Sequence, residues 1–232
     1  MRHHHTTLSP WLTLLVGLGL GLAAPALAQE GALPPAAAPA APHPALRDPS
    51  LARETAPAVY RVRLKTTQGD IVLEVKREWS PNAADRLYNM VRIGFLDGAA
   101  FFRNISGFMV QFGLSPDANV NMAWRLARMK DDPVRLSNSA GTITFAMSGK
   151  DTRTTQMFIN HTDNKQLDDM GFSPFGAVVE GKDVLAKLYT GYGEGAPNGR
   201  GPDQQRIMVE GDKYLQKSFP KLDKIVKATI EP

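Results

Sequence analysis

From residue 58 onward the chain is written in short runs of β-branched and aromatic residues, each closed by glycine, proline or small polar residues. Between Val59 and Thr67, Tyr60, Val62 and Leu64 alternate with Arg61, Arg63 and Lys65, and a period of two marks a half-buried strand. Gln68-Gly69-Asp70 reads as a turn and Ile71 to Val75 as the return strand of a hairpin. Further strands are expected at 101–105, 108–112, 141–147, 156–160, 175–179 and 224–230. Helices are fewer. Ser80-Pro81 predicts a helix start with Ser80 as N-cap, and Ala84, Leu87, Tyr88 and Val91 follow at spacings of three and four until Gly94. A helical turn is expected within 122–129, a turn at 164–167, a short amphipathic helix over 182–189 and a helix over 204–218. Strands and helices do not alternate as βαβ units. The pattern therefore predicts a mainly β domain, a closed eight-stranded antiparallel β-barrel capped by two or three α-helices.

The preceding residues read differently. Arg2, an uncharged apolar run from Trp11 through Leu20 and beyond, and Ala26-Leu27-Ala28 before Gln29 match the three parts of a secretory signal peptide. The apolar run is about 16–18 residues, short of the roughly 20 that span a bilayer. Cleavage after residue 28 without lasting membrane insertion is expected. Residues 29–57 carry Pro34, Pro35, Pro39, Pro42, Pro44, Pro49 and Pro57 among alanines. Proline at this density favours extended, unpacked chain, so a disordered linker is expected there and a folded domain over 58–232. The signal implies export, in a bacterial setting to the periplasm.

Composition then excludes chemistry. There is no cysteine, which removes disulfides, thiol nucleophiles and thiolate metal sites. Of five histidines, His3, His4 and His5 lie in the expected signal and His43 in the Pro/Ala tract. Only His161 falls in the expected domain, where it reads as a surface or loop residue. A catalytic triad or a multi-histidine metal site has little to draw on. No G-x-S-x-G elbow is present. The net charge of +4 is too mild to suggest nucleic acid. Gly191-Tyr192-Gly193-Glu194-Gly195 lacks the ending of a phosphate-binding loop and reads as a glycine-rich surface turn.

Three ordered blocks carry a resemblance. They are Phe101 through Gln111 (Phe-Phe-Arg-Asn-Ile-Ser-Gly-Phe-Met-Val-Gln), Gly141–Met147 followed by Thr155–Asn160, and Leu167-Asp168 through Phe172–Val178. In content, order and spacing the chain resembles the cyclophilin family of peptidyl-prolyl cis–trans isomerases. The resemblance implies a β-barrel and X-Pro isomerisation without metal or cofactor. It implies proline-containing peptides and unfolded exported proteins as partners, and action as a monomer. Position by position it makes Arg103 the catalytic residue. Phe108, Met109, Phe158, Leu167 and Phe172 become a proline cup, Gln111 and Gln156 contacts to the substrate backbone, and Ala146 and Met147 neighbours of the peptide groove. Phe172 stands where many eukaryotic members carry His, and Gln166 where they carry a Trp associated with cyclosporin binding, so weak drug sensitivity is expected. Phe112 and Leu114 replace the usual Gly and Asp.

These residue types suit that chemistry. Rotation about a peptide bond faces about 18–20 kcal/mol because nitrogen resonance stiffens C–N. No bond is made or broken, so no nucleophile is needed. A cationic donor aimed at the prolyl nitrogen gains strength only in the twisted state. Taken on periodicity alone, Phe108, Met109 and Phe158 also fit a barrel core, and Arg103 fits a surface ion pair; their place in the blocks favours the groove. A binding module that holds Pro-peptides with little turnover is the alternative reading.

Overall fold

The computed structural model describes residues 41–231. The expected signal at 1–28 and residues 29–40 of the expected linker lie outside the described residues. In chain order the elements are β1 (Val59–Thr66), β2 (Gly69–Lys76), α1 (Pro81–Arg92), β3 (Arg103–Ile105), β4 (Met109–Phe112) and α2 (Ala118–Trp124). They continue with β5 (Thr142–Phe145), β6 (Met157–Asn160), α3 (Gln166–Asp169), β7 (Pro174–Glu180), α4 (Lys182–Lys187), α5 (Gln204–Glu210), α6 (Asp212–Ser218) and β8 (Ile225–Glu231). All eight strands join one antiparallel sheet in the order β3-β4-β6-β5-β7-β2-β1-β8.

The sheet curls as expected, but its ladder stays open between β3 and β8. Only a short clasp ahead of β3 meets the β8 end: Ile225 N–H donates to Ala99 O (2.8 Å), Gly98 N–H to Ile225 O (2.7 Å) and Phe101 N–H to Asp223 O (2.9 Å). The edge strand β3 spans three residues, too few to carry a ladder on both sides along its length. A half-barrel with a clasp thus stands where a closed barrel was expected.

Period-two burial separates two faces. Val62, Leu64, Ile71, Leu73, Val75, Val110, Phe112, Phe145, Met157 and Ile159 point into the main core, joined by Ala84, Leu87 and Val91 of α1. Burying each Val, Leu or Ile contributes roughly 1.5–3 kcal/mol. Helix α1 starts at Pro81 as expected, but Ser80 does not cap it by its side chain. The Ser80 hydroxyl donates to Pro174 O (2.9 Å). The cap is Asp132, whose carboxylate accepts from Asn82 N–H and Ala83 N–H at 3.0 Å each. A carboxylate from a distant loop does what the local serine was expected to do.

Six helices occur among the described residues rather than two or three, most of them short. The helix expected over 204–218 is two, α5 and α6, broken at Gly211 with φ +61°. A Cβ at Gly211 would lie 2.3 Å from Pro116 O, so the chain bends there against the loop before α2. The expected turn in 122–129 is α2, which starts earlier behind an Asp117 cap.

Residues 41–57, expected to be linker, pack on the domain instead. Pro44–Leu46 and Pro49–Leu51 form 3₁₀ turns, and Ala45 and Ala56 are buried. Trp124 donates its indole N–H to Ala45 O (3.1 Å). Asn89 pairs with the backbone of Glu54 in both directions (3.0 and 2.7 Å), and Asp85 accepts from Ala56 N–H (2.9 Å). Small alanines fit tight sites, and side chains of α1 satisfy the backbone that proline-rich sequence leaves unpaired.

Candidate active site

The open end of the sheet carries the site. Register places Arg103 opposite Gln111, and Gln111 opposite Phe158. Alternate residues share a face, so Arg103 on β3, Met109 and Gln111 on β4 and Phe158 on β6 all project away from the main core. Their neighbours Val110, Phe112, Met157 and Ile159 project into it. The outward set nucleates a separate apolar cluster of Met109, Phe158 and Leu167, against which Phe108, Ala146 and Phe172 pack. The structure thus decides between core and groove for Phe108, Met109 and Phe158.

All ten residues singled out in the sequence surround one cavity of about 460 Å³. Phe108 and Met109 come from the β3–β4 turn and β4, and Phe158 from β6. Leu167 stands on α3, and Phe172 follows it with its ring at 70° to Phe158 (centroids 5.7 Å apart). Ala146 and Met147 follow β5, with Ala146 N–H held by Gln156 O (2.9 Å). Gln204, at the start of α5, also reaches the cavity and was not anticipated.

A polar line crosses the wall beside the apolar cup. Arg103 Nη1 donates to Gln111 Oε1 (3.0 Å), and Gln111 Nε2 donates to Gln156 Oε1 (2.8 Å). The Gln156 amide N–H groups have no protein partner among the described residues. The guanidinium stands 5.9 Å from the Phe108 ring centre. Of its five N–H donors, Nε and one on Nη2 go to Glu194 (2.6 and 2.7 Å). One on Nη1 goes to Gln111, and the other faces the weak acceptor Met109 Sδ at 3.8 Å. One Nη2–H is left over.

Glu194 lies in the stretch read as a glycine-rich surface turn, and the structure corrects that reading. The turn folds back on β3, bridging Asn104 to Gly193, and places its carboxylate on Arg103. The Arg103 guanidinium holds the Glu194 carboxyl below the usual carboxylate range. No local pattern in the sequence joins positions 91 residues apart.

Other supporting groups were also hidden. Arg153 falls in the polar run between β5 and β6, yet its side chain is 0% exposed. It donates to Ser173 Oγ (2.8 Å) and Gly171 O (2.7 Å) and stands 3.2 Å from Asp131, so it grips the chain on both sides of Phe172. Asp168 accepts from Ser137 Oγ (2.5 Å) and from Asn138 N–H and Nδ2 (2.8 Å each), fastening α3. Desolvation pushes the Asp168 carboxyl up, but these hydrogen bonds outweigh it and hold it below the usual range. His161 lies in the loop after β6, as one form of the expectation had it, but is half-buried; its Nε2 meets Asn104 Oδ1 at 2.7 Å, and burial lowers its pKa. Asn104 also donates to Leu188 O (3.0 Å). His161 therefore supports β3 from outside the cavity.

Comparison with known proteins agrees with the geometry. Residues 61–210 match the family model described as cyclophilin type peptidyl-prolyl cis-trans isomerase/CLD. A peptidyl-prolyl cis-trans isomerase A of Dickeya dadantii is 32% identical over 161 residues, covering 67% of this chain and 85% of that protein. A peptidyl-prolyl cis-trans isomerase of Acinetobacter baylyi is 34% identical over 133 residues, covering 55% and 70%. A crystal structure of a Cryptosporidium parvum cyclophilin type isomerase superposes with a TM-score of 0.55 at 19% identity, covering 75% of this chain and 98% of that one. A second structure of that protein was determined in the presence of the dipeptide Ala-Pro.

Proposed function

The chain belongs to the cyclophilin-type peptidyl-prolyl cis-trans isomerase family, and on that premise we propose that Arg103 drives X-Pro rotation in exported polypeptides. The observation that carries this reading is the Arg103–Gln111–Gln156 line running along an apolar cup. Phe108, Met109, Phe158, Leu167 and Phe172 hold the proline ring, contributing on the order of 1.5–3 kcal/mol. Gln156 N–H groups bind the substrate backbone, and Ala146 and Met147 line the approach. As C–N twists, resonance is lost and the prolyl nitrogen becomes pyramidal and basic. The leftover Nη2–H, or the Nη1–H at Met109, then meets a better acceptor than the planar amide offers. That differential binding lowers the barrier without proton transfer or cofactor.

The test is NMR exchange on an X-Pro peptide. Arg103→Ala is expected to lower the catalysed rate by about 10²–10³, comparable to losing one preorganised donor. Equal rates in wild type and variant would sink the reading. Met147 and the 60%-exposed Met170 at the rim favour a second reading, peptide capture with little turnover. Peptide binding without line broadening between cis and trans signals would select it.

Export is part of the proposal. Arg2, the apolar run from Trp11 and Ala26-Leu27-Ala28 support it. Mass spectrometry of the protein from a bacterial periplasmic fraction should find Gln29 as first residue. An intact Met1 would overturn it.

A further inference from the structure

We propose that Glu194 is a positioning residue for Arg103, and that the glycine-rich segment 191–201 is shaped to present it. The inference rests on Arg103 acting at the prolyl nitrogen.

Both Glu194 carboxylate oxygens are engaged: Oε1 by Arg103 Nε (2.6 Å) and Oε2 by Nη2 (2.7 Å). Two parallel bonds fix the plane of a guanidinium, whereas one leaves it free to turn. Oε1 also accepts Gly195 N–H (2.8 Å), which fixes the carboxylate itself. With that edge clamped, the Nη1 edge is turned to Gln111 and the cavity. A long side chain on a three-residue edge strand would otherwise sample several rotamers.

Two glycines that fold back on Glu194 leave no room for a side chain. Gly201 N–H donates to Glu194 O (2.8 Å). A Cβ on Gly199 would stand 2.3 Å from Glu194 O, and one on Gly201 2.7 Å from it. The chain therefore closes around the Glu194 backbone as only glycine permits. Tyr192 fastens the segment by packing edge-on against Tyr189 (4.9 Å) and Phe219 (5.0 Å). The carboxylate offsets part of the arginine's charge while fixing its direction. An arrangement of that kind acts on the rate of the bound peptide more than on its affinity.

The experiment measures exchange rate of the bound peptide and peptide affinity separately, by NMR line shape, in wild type, Glu194→Gln, Glu194→Ala and Arg103→Ala. Glu194→Ala should lower the bound rate about ten-fold and Glu194→Gln, which keeps one acceptor, about three-fold, with affinity within about two-fold. Gly199→Ala, which displaces Glu194 without altering it, should fall in the same direction. A Glu194→Ala rate equal to or above wild type overturns the inference, as does a loss explained wholly by weaker binding. If Arg103→Ala is impaired while both Glu194 variants are normal, only this inference fails. If Arg103→Ala matches wild type, the underlying reading fails and this one with it.

Discussion

Two arginines frame the groove, and they are anchored in opposite ways. Arg153 is fully buried, and its hydrogen bonds run to Ser173 and to the Gly171 backbone beside Asp131. Arg103 keeps 21% exposure, is clamped along one edge by Glu194, and presents its other edge to Gln111 and the cavity. The same side chain serves as a rivet in one place and as a tool in the other. What separates them is access to solvent and to the cavity, which Arg103 lines and Arg153 does not.

The sharpest way to break this comparison is to remove each arginine. Arg153→Ala leaves Asp131 without its buried partner and releases both flanks of Phe172. It should cost about 3–5 kcal/mol and lower Tm by roughly 6–20 °C, whereas Arg103→Ala should leave Tm nearly unchanged. Equal Tm losses would erase the distinction. Next, Arg103→Lys keeps charge but not the fork. It should slow peptide exchange about ten-fold with affinity little altered, and a wild-type rate would show that charge alone suffices.

A smaller effect concerns α3, which brings Leu167 to the cavity. A carboxyl held below its ordinary range in the fold stabilises at pH above that range, and loses its contribution as pH falls through the depressed value. Asp168 is such a group. Asp168→Asn should cost about 1 kcal/mol at neutral pH, with the gap to wild type closing under acid in denaturant titrations. A gap that persists into acid would assign the loss to packing instead. Smallest of all, His161→Ala should leave exchange within about two-fold, because the ring meets Asn104 outside the cavity. A large loss there would make His161 part of the machinery.

The strands themselves were legible from sequence, but the groove assignment of Arg103, Gln111 and Phe158 rested on their place in the three blocks, since periodicity alone also fitted Phe158 to the core. The register shows these three as cross-strand neighbours on the face away from Val110, Phe112 and Ile159. Contacts made by loops were not legible. Nothing near Glu194 marks it as a partner of Arg103, nothing near Asp132 as the cap of α1, and Arg153 sits in polar sequence that reads as solvent-facing. Strand burial has a local period, whereas a side chain that satisfies a distant donor has none. The same limit explains the barrel edge and the linker. Closure depends on the length of β3, and docking of residues 41–57 depends on pockets supplied by α1 and α2.

Trp124 gives that docking an optical signature. Its ring is 1% exposed, sits edge-on to Phe95 at 5.1 Å, and its indole N–H is committed to Ala45 O. An indole in so dry a setting emits at the short-wavelength end of the tryptophan range, and water reaching it shifts the emission to longer wavelength. With the half-buried Trp79 replaced by Phe and the leader removed, the emission of Trp124 reports whether the segment ahead of β1 is seated, in real time and without a label.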